Sequence, residues 1–328
     1  MFNRNGVICW QSDYNTIKNN LFSGNVMNAV TLSAGSSFNT LSNNSMNYNS
    51  GAVLISHDSL RNSLYNTFLY NTVCENSGFS YQVLPTPQGP VQFNNLIRNG
   101  VTPSFINLSD SIVHAEYNFW GTTSESEIDS IISDINDDPL KGEVLYTPVL
   151  DNILTSAPVP PPYRVKKQRI GNDMVVSWNE TYMADFKGFN VYYGTNNGIA
   201  FENKVNNGIK SSFNMGDIPV EDTIAVTTFD FLADGADDQT EGYESDFAYA
   251  VLYPYAGPDT AICYNSEYSI SEATAYNYEN VIWSTSGDGT FDNRQITNPV
   301  YTPGPQDYTL GYVYLFLDDA GFGQQHID

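Results

Sequence analysis

The stretch NTIKNNLFSGN at residues 15–25 returns, with most letters changed, as NTLSNNSMNYN at 39–49 and NSLYNTFLYNT at 62–72. The step from Asn15 to Asn39 is 24 residues and that from Asn39 to Asn62 is 23. At such a period a chain stacks one supersecondary unit on the next. Aligned this way, Asn15, Asn39 and Asn62 form one column and Asn19, Asn43 and Asn66 another. Apolar columns run through Ile17, Leu41 and Leu64, through Phe22, Met46 and Leu69, and through Ile8, Leu32 and Ile55. The segments between the asparagines are too short for helices and alternate as strands do.

These columns predict a right-handed parallel β-helix, one coil per repeat, with aliphatic ladders inside. Each buried Ile, Leu or Phe contributes roughly 1.5–3 kcal/mol, and one coil cannot bury its own face without neighbours above and below. Asparagine is expected at the corners, because it tolerates the left-handed backbone and its amide both donates and accepts in a stack. YQVLPTPQGP reads as a loop, after which the pattern resumes at VQFNNLIRNG. Ile128, Ile131, Ile132 and Ile135 fall at helical spacing before Pro139, which predicts a capping helix near 124–137.

The run AEYNFWGTTSESEIDSIISDINDDPLKGEVLYTPVL, residues 115–150, resembles the terminal segment of right-handed β-helix proteins of the pectate-lyase-like superfamily. There an Asn-aromatic-Trp-Gly motif, here Asn118 to Gly121, precedes a short cap helix and a final strand. The expected organisation is a β-helix over 1–152, a Pro-rich linker over 153–162, and two β-sandwich modules over 163–252 and 253–328. The first sandwich, with DMVVSW, GFNVYYGT and IAVTTFD as strands, resembles a fibronectin type III domain. The second, with ENVIWSTSGDGTF, resembles the immunoglobulin-like or PKD-like repeats of secreted bacterial surface proteins, including those exported by type IX secretion, and reads as truncated. The whole is expected to be all-β apart from the cap.

With 13 basic and 37 acidic residues the net charge is -24, which repels phosphate backbones and anionic lipid, so neither nucleic-acid binding nor membrane insertion is expected. Cys9, Cys74 and Cys263 make no disulfide framework. The chain begins mid-repeat and carries no export signal, so it reads as a fragment of an extracellular or cell-surface bacterial protein whose upstream coils are missing.

Lyases of this fold class are expected to combine stacked acids, calcium and a basic residue. Among the candidates Asp13, Lys18, Asp58, Arg61, Glu75 and Arg98, Asp13 and Asp58 share no column in the aligned register and neither do Lys18 and Arg61, so no catalytic residue is assigned. Three further readings remain. Asp230, Asp234, Asp237, Asp238 and Glu241 lie on a Gly-containing acidic loop and are candidate calcium ligands, although no cofactor is required. Trp10 and Tyr65 are candidate ligand-binding aromatics on the outside of the coils. The expected function is extracellular binding or adhesion to a polysaccharide or surface glycan. The alternatives are a polysaccharide lyase or glycoside hydrolase with catalytic coils upstream, and a structural stalk.

Overall fold

The computed structural model describes residues 4–58, 60–84, 87–181, 183–195, 198–236, 238–276 and 280–319. Residues 1–162 are built mainly as a parallel β-solenoid with three faces. The first is a six-stranded sheet of Val7–Trp10, Asn28–Ser33, Gly51–Ile55, Tyr81–Val83, Phe105–Asn107 and Ile132–Ser133. The second stacks Thr16–Lys18, Thr40–Ser42, Thr67–Leu69 and Val91–Gln92, and the third stacks Leu21–Ser23, Ser45–Asn47, Thr72–Cys74 and Asn95–Ile97.

The interior columns follow from strict register. Ile17 lies over Leu41 and Leu41 over Phe68. Phe22 lies over Met46 and Met46 over Val73, while Cys9, Leu32 and Ile55 form a column on the first face. All belong to one buried cluster. Three sequence-based assignments change as a result. Leu64 and Leu69 are replaced inside by Phe68 and Val73, and Ile8, 55% exposed, gives way to Cys9. The cause is coil length: Asn39 meets Asn66 and Asn44 meets Asn71, both 27 residues on. The extra residues lie in the loop after Ile55, where the Asp58 carboxylate accepts from the backbone N–H groups of Leu60 and Arg61.

The corners also differ from expectation. Among the column asparagines only Asn19 and Asn43 are left-handed. Elsewhere the left-handed residue is the one before a ladder asparagine, and it is often aromatic: Tyr14, Phe38, Tyr65, Tyr70, Phe93 and Tyr117, with φ between 54 and 61°. That conformation costs a non-glycine residue roughly 1–2 kcal/mol. Ladder hydrogen bonds hold it in place, for instance Phe38 N–H to the Leu64 carbonyl at 2.9 Å and Tyr65 N–H to the Pro87 carbonyl at 3.0 Å. The asparagine that follows turns inward. Asn20, Asn44, Asn71, Asn94 and Asn118 form a continuous amide ladder, each Nδ2 donating to the next Oδ1 at 2.9–3.1 Å.

The cap helix is Glu125–Ile131, shorter than expected because Ile132 joins the first face beside Phe105. Ile128 is fully buried at the end of the core, near Trp120, whose indole meets Phe105 edge-on at 5.2 Å.

Contacts group residues 1–162 with 180–190 and 227–248 in one compact unit, and 163–179 with 191–226 and 249–328 in another. In the first, the outward side chains of the third solenoid face are covered by chain from the same unit. Asn95 exchanges hydrogen bonds with the backbone of Leu154, the Asn43 amide donates to the Ser156 carbonyl at 3.0 Å, and Thr72 donates to the Pro158 carbonyl. Cys74, Ile97, Ile153, Val159 and Met183 form the apolar part of this packing. Residues 157–162 are therefore buried rather than solvated. In the second unit, Asp173–Asn179 pairs antiparallel with Tyr163–Ile170 and Ser212–Asn214, burying Met174, Val176 and Trp178 by alternation. Residues 268–319 add short antiparallel pairs around Trp283, with the helix Pro305–Leu310. No helix of the described residues is long and apolar enough to cross a membrane.

Candidate functional site

The second solenoid face keeps its outward residues accessible, as the first does at Ile8 and Trp10, whereas the third is covered. Thr16 and Lys18 are exposed and Thr40, Ser42, Thr67 and Leu69 half-buried, whereas Ser45, Asn47, Thr72, Cys74, Asn95 and Ile97 on the third face are buried. The two corners of the second face carry left-handed residues, Tyr14, Phe38 and Tyr65 at one and Asn19, Asn43, Tyr70, Phe93 and Tyr117 at the other. At one corner Tyr14, Phe38 and Tyr65 stack with ring centroids 5.1 and 5.4 Å apart and interplanar angles of 5 and 28°. At the other, Tyr70, Phe93 and Tyr117 stack at 5.3 and 5.4 Å and 9 and 11°. The strand Thr67–Leu69 lies between Tyr65 and Tyr70, so the third coil contributes a ring to both corners.

Of the two expected aromatics, Tyr65 is thus one member of a ladder, 49% exposed. Trp10, 61% exposed, ends a strand of the first face and belongs to neither ladder. Tyr14, Phe38, Tyr70, Phe93 and Tyr117 were missed as a group. The available signal was an aromatic directly before the repeated asparagine, as in YN and FN, and it surfaces only when the third repeat is read four residues later.

The charged residues are mostly structural. The Glu75 carboxylate and the Arg98 guanidinium are neighbours on adjacent rungs and form an ion pair, because Cys74 is in register with Ile97. Arg98 also donates to the Pro161 carbonyl and to the Thr181 hydroxyl, which makes the pair part of the packing on the third face. Asp13 accepts from Ser37 N–H at 2.7 Å. His114 contacts Glu116 at 3.1 Å. Partial burial opposes ionisation of Glu116, but hydrogen bonds from His114, its own backbone and Gln92 hold its pKa below the usual carboxylate range.

In the acidic loop, the carboxylates serve as turn caps. Asp230, 2% exposed, accepts from Leu232 and Ala233 N–H at 2.7 and 3.1 Å. Asp238 accepts from Asp234 and Gly235 N–H at 3.0 and 2.6 Å, and Asp234 from Ala236 N–H at 3.0 Å. Burial raises the pKa of Asp230, and the nearby Asp185 and Asp238 charges add to this. Asp237 lies outside the described residues, and Glu241 is exposed. Among the described residues no three His, Cys, Asp or Glu side chains gather as a metal site.

Where the loop approaches the solenoid it closes a cleft of about 330 Å³, lined by Lys18, Asn19, Asn43, Leu232, Glu241 and Tyr243 together with the backbone around Ser156. Asn19 and Asn43 hold the left-handed corner positions that Tyr70, Phe93 and Tyr117 occupy in later coils.

Among the described residues the sulfur and imidazole donors are scattered: Cys9 and Cys74 are buried, Cys263 and Met27 are exposed, Met46 is inside the core, and His57 hydrogen-bonds the Asp58 carbonyl. No curated protein matches the chain. Residues 1–129 match the family model described as periplasmic copper-binding protein (NosD), so the solenoid is similar to that family, yet copper, which favours imidazole and sulfur donors held together, finds no such set among the described residues.

Proposed function

We propose that this chain is an extracytoplasmic glycan-binding module, and that an extended polysaccharide lies on the second face of the solenoid between the two aromatic ladders. The observation that carries the reading is the pair of ladders on the accessible second face, Tyr14–Phe38–Tyr65 and Tyr70–Phe93–Tyr117. Rings that already stack on one another lose little freedom on binding; the Thr67 hydroxyl lies between Tyr65 and Tyr70, and Thr16 and Thr40, in register with it, stand beside Tyr14 and Phe38, all suited to sugar hydroxyls. The rung spacing is on the scale of one sugar unit, so successive residues of a glycan can meet successive rings of a ladder. The periplasmic description of the family matched over 1–129 supports a location outside the cytoplasm.

The test is retention of the full chain on a panel of insoluble and soluble polysaccharides, neutral and acidic. Phe38→Ala and Phe93→Ala should each weaken retention by about 2 kcal/mol, roughly thirtyfold, as for an interface aromatic anchor. Retention unchanged in both variants would refute the assignment of the face.

A further inference from the structure

We propose that the cleft between the second-face corner and the 232–243 segment is a separate subsite that binds one or two neutral sugar units; the proposal rests on the glycan-binding reading above and assigns the terminal unit of such a ligand a place.

The cleft presents polar side chains that the fold does not use. The Lys18 ammonium, the Asn19 amide, the Glu241 carboxylate and the Tyr243 hydroxyl make no side-chain hydrogen bond or ion pair among the described residues, and all four line the same space. Asn43 uses its Nδ2 to hold the Ser156 carbonyl at 3.0 Å, and its Oδ1 accepts no hydrogen bond among the described residues. Such a set offers both donors and acceptors. One cation and one anion face the cleft without pairing, so the charges balance and a ligand of either sign would meet an unfavourable partner. A ligand dense in hydroxyls, each able to donate and accept, satisfies all of them at once. Leu232, 64% exposed, and the Tyr243 ring supply apolar surface for the C–H face of a sugar ring. At about 330 Å³ the volume is at the small end of ligand pockets, enough for a mono- or disaccharide.

The placement ties the cleft to the ladder. Asn19 and Asn43 share the corner column with Tyr70, Phe93 and Tyr117, so the amides stand on the rungs directly before the rings. A glycan running along the rings would bring its end to the amides.

The experiment uses the full chain and small probes: methyl glycosides of glucose, mannose, galactose and N-acetylglucosamine, their disaccharides, and glucuronate as a charged control. Binding is read by saturation-transfer NMR and calorimetry at millimolar ligand. Asn19→Gly removes the amide while retaining a residue at ease with positive φ, and Glu241→Gln removes the charge without changing shape. At least one neutral probe should bind, and Asn19→Gly should weaken it roughly two- to tenfold and Glu241→Gln roughly tenfold or more, the loss of a neutral and of a charge-assisted hydrogen bond respectively. Phe93→Ala should reduce polysaccharide retention. Absence of binding by every neutral probe, insensitivity to Asn19→Gly and Glu241→Gln, or tighter binding of glucuronate would each overturn the subsite. If polysaccharide retention persists and depends on Phe93 while no small sugar binds, the subsite fails and the ladder reading stands. If small sugars bind through Asn19 and Glu241 while retention ignores Phe38 and Phe93, the subsite stands and the ladder reading fails.

Discussion

Asn71→Ala tests the amide ladder at its middle rung. Asn71 is fully buried, and its Oδ1 accepts both the backbone N–H and the side-chain amide of Asn44 at 2.9 Å. Its Nδ2 donates to the carbonyls of Leu41 and Leu69 and to Asn94 Oδ1, at 3.0, 2.9 and 3.1 Å. Truncation to alanine strands two buried donors of Asn44 and removes a donor from three acceptors, with no water path into the interior. A buried donor left without a partner costs about 1–3 kcal/mol, so the two on Asn44 alone imply about 2–6 kcal/mol. Local opening of the neighbouring coils should become easier by that amount. Hydrogen–deuterium exchange of peptides spanning residues 39–97 reads this directly, because protection in these segments reports local opening free energy. Exchange in the Asn44 and Asn94 rungs should accelerate by roughly thirtyfold or more, at about 1.4 kcal/mol per tenfold. Acceleration below fivefold would mean that the ladder is not a stabilising element, and the account of the corners would fall with it.

The register of the third coil is tested by a pair of truncations: Phe68→Ala should cost about 3–5 kcal/mol, since Phe68 is 2% exposed beneath Leu41, while Leu64→Ala at a half-buried position should cost under about 1 kcal/mol. Equal losses in denaturant unfolding would restore the shorter repeat. Asp246 sets a pH dependence. It is 5% exposed, Phe247 N–H bonds its Oδ1 at 2.7 Å, and its Oδ2 has no hydrogen-bond partner. Burial raises its pKa, although Ser23 and Asn47 stand close enough to favour the ionised form, short of a hydrogen bond of good geometry to Oδ2. Tyr48, Cys74, Glu75 and Arg98 share this neighbourhood. A carboxyl raised in the folded state binds its proton more tightly there than when unfolded, so its contribution is full below about pH 4 and is lost as pH rises through the folded value. Asp246→Asn should flatten stability across that window and raise the melting temperature at neutral pH; a variant with an unchanged pH profile would refute it.

The repeat of amides and aliphatics was enough to specify a parallel solenoid, because the interior columns and the ladder amides depend on sequence period alone. Ile17, Leu41, Phe22 and Met46 could be placed inside from their spacing, and the cap from the isoleucines after Gly121. The third coil could not be registered that way. NSLYN and NTFLYN both satisfy a pattern of asparagine, apolar residue and asparagine, and only the loop held by Asp58 shows which pair of asparagines continues the ladder. The aromatic ladders depend on that choice, since a slip of four residues moves Tyr65 off the column of Phe38 and Tyr70 off the column of Phe93. The fate of the acids was also out of reach. A loop rich in Asp reads the same whether its carboxylates cap backbone amides or hold a cation, and the difference lies in where Asp230 and Asp238 turn. The cleft joins Lys18 and Asn19 to Glu241 and Tyr243, more than two hundred residues apart in sequence, and the buried neighbourhood of Asp246 likewise joins it to Asn47 and Cys74. Local periodicity determines which side of a coil a residue faces; what covers that side is decided by packing of distant chain, which no local pattern records.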